Sequence, residues 1–262
     1  MRCRARTSLA VFIGLAGLVG IAHAAETAQQ IVDSMIAAHG GMKTWALAPT
    51  VSFEADMVPA GQIQGAPARV TVEQGRRRAY QEIPALSARM AWDGEKAWSE
   101  NWKLPFPPRF AALLHYYFAN LPWLARDPGV RLASESTAKL PGDATQYLAV
   151  RMTFEEGIGD SPRDYYLLFI HPQTRRLRAA EYISTYAGVL PPGVKASPPN
   201  VLLYEEHATV NGLLVPTRYE FFVKEGHKPM ATVKVREWSF SKTFDASRLT
   251  MPPGAVVDTS KK

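Results

Sequence analysis

Hydrophobic alternation with a period of two runs through most of this chain, and it limits the fold to an antiparallel sheet. Val51, Phe53 and Ala55 alternate with Ser52, Glu54 and Asp56, and Leu148, Val150, Met152 and Phe154 alternate with small or polar neighbours. Successive side chains of a strand point to opposite faces, so such segments are half-buried strands. The same reading places strands over 69–74, 77–83, 87–92, 97–102, 145–154, 177–186, 201–210 and 215–224. Residues 165–170 are apolar on both faces, as a strand covered on each side would be. A last strand covers 231–235 and 238–240, with the alternation slipping near Arg236 as a β-bulge would make it. Asp93-Gly94 and Asn211-Gly212 supply the positive φ of tight hairpins between consecutive strands.

Two segments break the alternation. Residues 26–39 read as an amphipathic helix, capped by Thr27, striped by Ile31, Met35 and Ala38, and ended by Gly40-Gly41. Residues 106–128, FPPRFAALLHYYFANLPWLARDP, read as a second helix interrupted at Pro122 and stopped by Asp127-Pro128-Gly129. Phe110, Leu113, Leu114, Tyr117, Phe118, Leu121 and Leu124 make a broad stripe on it, and Tyr116 and Trp123 extend the stripe to the other side. A helix lying on a sheet needs only one apolar face. The surplus fits burial between two layers, contact with a protein partner, or contact with an apolar ligand, and these remain open at this level.

The amino terminus carries Arg2, Arg4 and Arg6, an apolar run from Leu9 to Ile21, and Ala22-His23-Ala24 before Ala25. This is the pattern of a secretory signal peptide over residues 1–24. A single domain is then expected over residues 25–262, with the Pro-rich stretch from Leu190 to Pro199 as a long loop inside it. Cys3, the chain's one cysteine, lies in the basic region and not at a lipobox, so a lipoprotein is not expected. Cleavage after Ala24 removes it, leaving no thiol for disulfides, thiolate metal sites or nucleophilic catalysis. Cleavage also removes three arginines and no acids, leaving 27 basic against 24 acidic residues and a net charge of +3. Nucleic-acid binding is not expected from so weak a balance. Arg76-Arg77-Arg78 reads as a solvated strand face or hairpin end.

No catalytic signature is present. His-Glu-x-x-His, Gly-x-Ser-x-Gly and the phosphate-cradling Gly-x-x-x-x-Gly-Lys are all absent. Gly157-Ile158-Gly159-Asp160 leads through Pro162 into a strand and reads as a loop. Glu155-Glu156 and Glu205-Glu206 are strand neighbours that point to opposite faces and form no dyad. No metal or cofactor is expected, and no two of His39, His115, His171, His207 and His227 stand at ligand spacing. His39 reads as a helix-end residue favoured by the dipole, His171 as a turn residue. His115, inside the apolar helix, is either a satisfied core or rim residue or a contact for a ligand's head group.

Several short pieces resemble the LolA-like superfamily of periplasmic lipoprotein-sorting carriers, most closely its uncharacterised secreted relatives. They are His39-Gly40-Gly41 with Trp45, Trp92-Asp93-Gly94-Glu95-Lys96-Ala97-Trp98, Tyr116-Tyr117-Phe118 through Leu121-Pro122-Trp123 to Asp127-Pro128-Gly129-Val130, and Ile170-His171-Pro172-Gln173-Thr174. The resemblance implies a mainly β fold with α: an open antiparallel half-barrel with an N-terminal helix and a helical lid insert filling its concave side. It implies carriage of a lipid or acyl chain through the periplasm without catalysis; a monomer is expected, with a membrane-bound loading or accepting protein as a candidate partner. It further implies a lid-anchoring arginine on an early strand, for which Arg69, Arg76, Arg77, Arg78 and Arg89 all qualify. The expected cavity and lid residues are Trp92, Trp98, Trp102, Phe106, Phe110, Leu113, Leu114, Tyr117 and Leu121, with His115 for a head group. A cell-envelope scaffold with a filled barrel is the alternative, and an enzyme of unrecognised type a third.

Overall fold

The computed structural model describes residues 26–159 and 161–260. The expected signal peptide with Cys3 lies outside the described residues, as does Asp160. Among the described residues three α-helices, α1 (Ala28–Ala38), α2 (Gly41–Ala46) and α3 (Pro108–Leu124), accompany a single antiparallel sheet. Its strands are β1 (Thr50–Pro59), β2 (Ala68–Glu73), β3 (Arg78–Ile83), β4 (Ala88–Trp92), β5 (Ala97–Glu100), β6 (Val130–Ser134), β7 (Leu148–Phe154), β8 (Tyr166–Ile170), β9 (Leu177–Tyr182), β10 (Asn200–Val210), β11 (Leu213–Val223), β12 (Lys228–Ser241) and β13 (Val256–Val257).

The strand order is β13-β5-β4-β3-β2-β1-β12-β11-β10-β9-β8-β7-β6. One meander runs outward from β1 to β5, α3 crosses over, and a second meander returns from β6 to β12, which pairs with β1. The sheet does not close into a barrel. β5 and β6 stand eleven strand steps apart in this order, about 50 Å in a flat sheet at the usual ~4.8 Å spacing. Seventeen residues of α3 span only about 25 Å at 1.5 Å per residue. The sheet therefore curls around the helix, which touches β2 to β5 on one side and β11 on the other.

The concave face holds the main core: Val51, Phe53 and Ala55 of β1, Val70 and Val72 of β2, Val233 and Val235 of β12, and Tyr219 and Phe221 of β11. Each valine or phenylalanine among them contributes about 1.5–3 kcal/mol on full burial. Alanines concentrate where α3 lies: Ala68, Ala79, Ala88 and Ala97 on β2 to β5 share the main core with Ala112 and Ala119 of the helix, and Ala111 is buried beside them. The convex face has two smaller covers. Residues 138–147 lay Leu140 and Tyr147 over Phe169, Val201 and Phe222, and the C-terminal segment lays Leu249 and Ala255 over Tyr80, Ala91 and Trp98.

The bulge expected near Arg236 is at Glu237, whose φ is +55° and where the β1–β12 register shifts. Both hairpin signals form; Asn211 and Gly212 take φ of +50° and +80°. Three elements escaped the sequence reading. Gly40-Gly41 ends α1 but also starts α2, because Gly40 at φ +102° turns the chain sharply, and a Cβ there would run into the Gly212 carbonyl. β6 and β13 are the two edge strands, of five and two residues.

His39 is a correction. It is buried, not poised for charge at a helix end: Nε2 accepts a hydrogen bond from Leu177 N–H (3.2 Å), which makes Nδ1–H the donor to the Leu214 carbonyl (2.9 Å). The neutral ring thus ties the end of α1 to β9 and β11. Burial lowers its pKa from 6.5 to about 4. Between those values the unfolded chain binds a proton that the folded one refuses, so His39's contribution to stability is lost as pH falls from 6.5 towards 4. Urea unfolding of the wild type from pH 7 to pH 5 should show a stability loss larger by about 2 kcal/mol than in His39→Gln, at ~1.4 kcal/mol per pH unit. Equal losses would dismiss His39 as the titrating staple.

Candidate functional site

The site is built around α3. Pro108 opens the helix, where its missing N–H costs nothing. Pro107 at the N-cap offers no side-chain cap; Asp258, from the C-terminal segment, takes that role by accepting from Arg109 N–H at 2.8 Å. The sequence reading breaks the helix at Pro122, but the helix runs through it to Leu124. Proline has no N–H to give to the carbonyl four residues back. That carbonyl belongs to Phe118, and the Tyr204 hydroxyl of β10 donates to it at 2.5 Å. The sheet thus supplies the bond that Pro122 withholds.

Two more sheet side chains hold the helix. Gln81, fully buried on the inward face of β3, donates through Nε2 to the Ala111 (2.7 Å) and Ala112 (2.9 Å) carbonyls. Arg77, in the turn before β3, binds the Tyr116 hydroxyl and forms an ion pair with Asp127 just past the helix end. Arg77 thus sits at a hairpin end, one of the two readings of the basic run, but its guanidinium is engaged and not solvated; of the five candidate arginines, it is the one that grips α3. Burial pushes the Asp127 carboxyl upward, and Arg77 draws it back. Behind the helix end, Trp123 stacks flat on Trp45 at 4.5 Å, with His39 edge-on at 5.9 Å.

The two halves of α3 differ in cover. Residues 118–124 are all buried, whereas Phe110, Leu113, Leu114, His115 and Tyr117 are half-buried. Phe110 leans on Tyr186 of the β9–β10 loop at 5.2 Å and on Phe106 at 6.1 Å. Leu113, Leu114 and Tyr117 lie at the margin of the main core. His115 is not a satisfied core residue: its Nδ1 is buried with no partner among the described residues, and burial lowers its pKa to about 4.

The other expected residues divide. Trp92 is on the concave face under the Arg109 guanidinium, 4.1 Å from its ring, and Leu121 is fully buried in the core. Trp102 lies beyond β5, half-buried against the core, with its indole N–H on the Phe106 carbonyl (2.9 Å). Trp98 is a correction. Ala97 pairs with Trp92 and shares its face, so Trp98, one residue on, points to the convex side, where its N–H reaches the Leu249 carbonyl at 2.8 Å. Sequence reasoning missed Gln81 and Tyr204. Gln81 was findable as the one polar residue at an inward position between Ala79 and Ile83.

Two surface depressions flank this arrangement. One, about 450 Å³, lies between the end of β5, the start of α3 and the C-terminal segment, lined by Trp102, Pro108, Val256 and Asp258. The other, about 230 Å³, is at the far ends of β1, β11 and β12. Neither is lined by the middle of α3. Among the described residues no cluster of three or more His, Cys, Asp or Glu is placed to hold a metal ion, and no helix is long and apolar enough to cross a membrane.

No protein-family model and no curated protein sequence matches the chain. Solved structures do. A LolA superfamily protein from Nitrosomonas europaea aligns with a TM-score of 0.52 at 13% identity, over 87% of this chain and 99% of that one. A DUF1329 family protein from Desulfovibrio piger aligns with a TM-score of 0.52 at 8% identity, over 85% and 97%. The chain has a LolA-like fold.

The exchange of a proline-freed carbonyl for a tyrosine hydroxyl is testable by a double-mutant cycle. Tyr204→Phe should cost about 1–3 kcal/mol in urea unfolding, the usual cost of orphaning a buried polar group. In a Pro122→Ala background, where residue 122 regains its N–H, the same change should cost much less. An equal cost in both backgrounds would refute the compensation.

Proposed function

We propose that this protein is a periplasmic, non-catalytic carrier for a hydrophobic ligand, a lipid or acyl chain, received beneath the N-terminal half of α3. The observation that carries this reading is the divided cover of that helix. Its C-terminal half is locked by the Trp45–Trp123 stack, while its N-terminal half leaves Phe110, Leu113, Leu114 and Tyr117 half-covered. The tethers on the moving half are polar: Gln81 to two carbonyls, Arg77 to a phenol, Asp258 to one N–H. Water replaces polar tethers at small net cost. Apolar surface laid bare by lifting the helix needs an apolar replacement, and an acyl chain supplies about 0.8 kcal/mol per buried methylene.

The LolA-like fold supports the same reading, with Arg77 as the lid anchor and α3 as the lid. Carriers of this kind exchange cargo with membranes, so a membrane-bound loading or accepting protein is part of the proposal; the carrier works as a monomer and binds no nucleic acid. A second reading, a cell-envelope scaffold, draws on a different observation: α1, α2 and α3 fill the concave face, with Met35, Trp45, Tyr116 and Trp123 all buried there.

Native mass spectrometry of the exported protein with lipid extraction separates the two. A near-stoichiometric lipid and uptake of a fluorescent fatty acyl probe are expected. Leu114→Asp or Tyr117→Asp should reduce uptake at least tenfold in a folded protein, and Arg77→Gln should speed it by loosening α3. A bare protein that takes up no probe would leave the scaffold.

A further inference from the structure

Beneath α3, four tyrosines project from consecutive strands onto the concave face. Tyr166 of β8 lies opposite Tyr182 of β9, rings 5.9 Å apart, and Tyr204 of β10 lies opposite Tyr219 of β11, rings 6.0 Å apart. The two pairs are one group: Tyr166 acts electrostatically on Tyr204, and Tyr182 on Tyr219. Phe118 of α3 closes the group from above, 5.1 Å from Tyr182 and 4.9 Å from Phe221.

Two of the four hydroxyls stand in contrast. Tyr204 donates to the Phe118 carbonyl. Tyr219, with no exposed surface, has a buried hydroxyl without a partner among the described residues. A lone buried hydroxyl is costly, and native proteins rarely keep one without a use. In a helix-lined apolar concavity, phenylalanine would fill the same space without that cost. Burial holds all four phenols neutral, far above their usual range. The Asp164 carboxyl acts on the group through Tyr166.

We infer that this tyrosine box recognises the polar linkage of the carried lipid, and that the ligand is therefore a neutral acyl ester or amide, not a free fatty acid or a bare hydrocarbon. The inference rests on the carrier reading and narrows it. A carbonyl oxygen has two lone pairs and accepts from two phenols at once. A carboxylate would meet the like charge of Asp164 beside Tyr166. A hydrocarbon would leave the hydroxyls unpaired. Phe118 begins the clamped half of α3 and stays over the box; an acyl chain laid beneath Phe110 to Tyr117 brings its linkage to the box from the side of half-buried Tyr166, so the linkage and the chain are read together.

The test displaces a bound fluorescent probe, N-phenyl-1-naphthylamine, from the full exported chain with four ligands of one chain length: methyl palmitate, N-methylpalmitamide, palmitate and hexadecane. The ester and the amide should displace at concentrations at least fivefold below palmitate and hexadecane. In Tyr219→Phe the ester-to-hexadecane preference should fall at least threefold. Tyr182→Phe, at a less deeply covered position, should do the same, and urea midpoints confirm that both variants fold. Palmitate equal to the ester, or preferences unchanged in both variants, overturns the tyrosine box and leaves the carrier standing. Displacement by none of the four overturns both.

Discussion

The pairing of β1 with β12 is the contact on which the architecture depends. Every other strand neighbour in the two meanders is close in sequence; this one joins residues 50–59 to residues 231–241. Without it the chain would be two separate curved sheets, each with an open edge at the centre. The seam is reinforced on both faces. Outside, Glu54 lies between Arg69, at 3.8 Å, and Arg236. Inside, Phe53 packs on Trp238 at 4.6 Å, and Trp238 runs parallel to Phe240. The bulge at Glu237 sits in this seam, and bulges bend and twist the strand that carries them, which suits a sheet that must curl around a helix.

Once the seam unites the meanders, the crossover has one place to go. α3 leaves β5 near one edge and must reach β6 at the other, so it lies across the concave face. Its fit there is uneven by construction. Alanines on helix and strands let the backbones approach, close enough for Gln81 to reach two helix carbonyls. At the other end, large aromatic rings, Trp45 on Trp123 and His39 beside them, wedge the helix in place. A helix clamped at one end and held by exchangeable polar contacts at the other is suited to move as a lid, which links the packing to the proposed carriage of a lipid.

Polar groups mark where that movement would matter. Pro122 withdraws a backbone bond, and a tyrosine from a strand far away in sequence restores it. His115 and Tyr219 each bury a polar atom without a partner among the described residues. Unsatisfied groups are scarce in native interiors; His115 is on the closing helix, and Tyr219 is in the core of the concave face.

Local alternation, turn chemistry and capping made every strand but β6 and β13 legible in the sequence, with the hairpins, the bulge near Arg236 and the two long helices. Val51 to Met57 and Asn211-Gly212 carry their structure in their own residue order. Tertiary structure alone decided which side chains meet. Trp98 looks like a partner of Trp92 in sequence, but the register with Ala97 sends it to the opposite face. Arg77 is one of three adjacent arginines, and only the turn before β3 aims it at Tyr116 and Asp127. His39 looks like a helix-end residue until β9 and β11 arrive to take both ring nitrogens. Tyr166, Tyr182, Tyr204 and Tyr219 read as ordinary strand residues, and become a group only when four strands align. A period of two tells which face a residue shares with its neighbours on the same strand; it carries no information about which distant strand lies alongside, and the site is made of those distant neighbours.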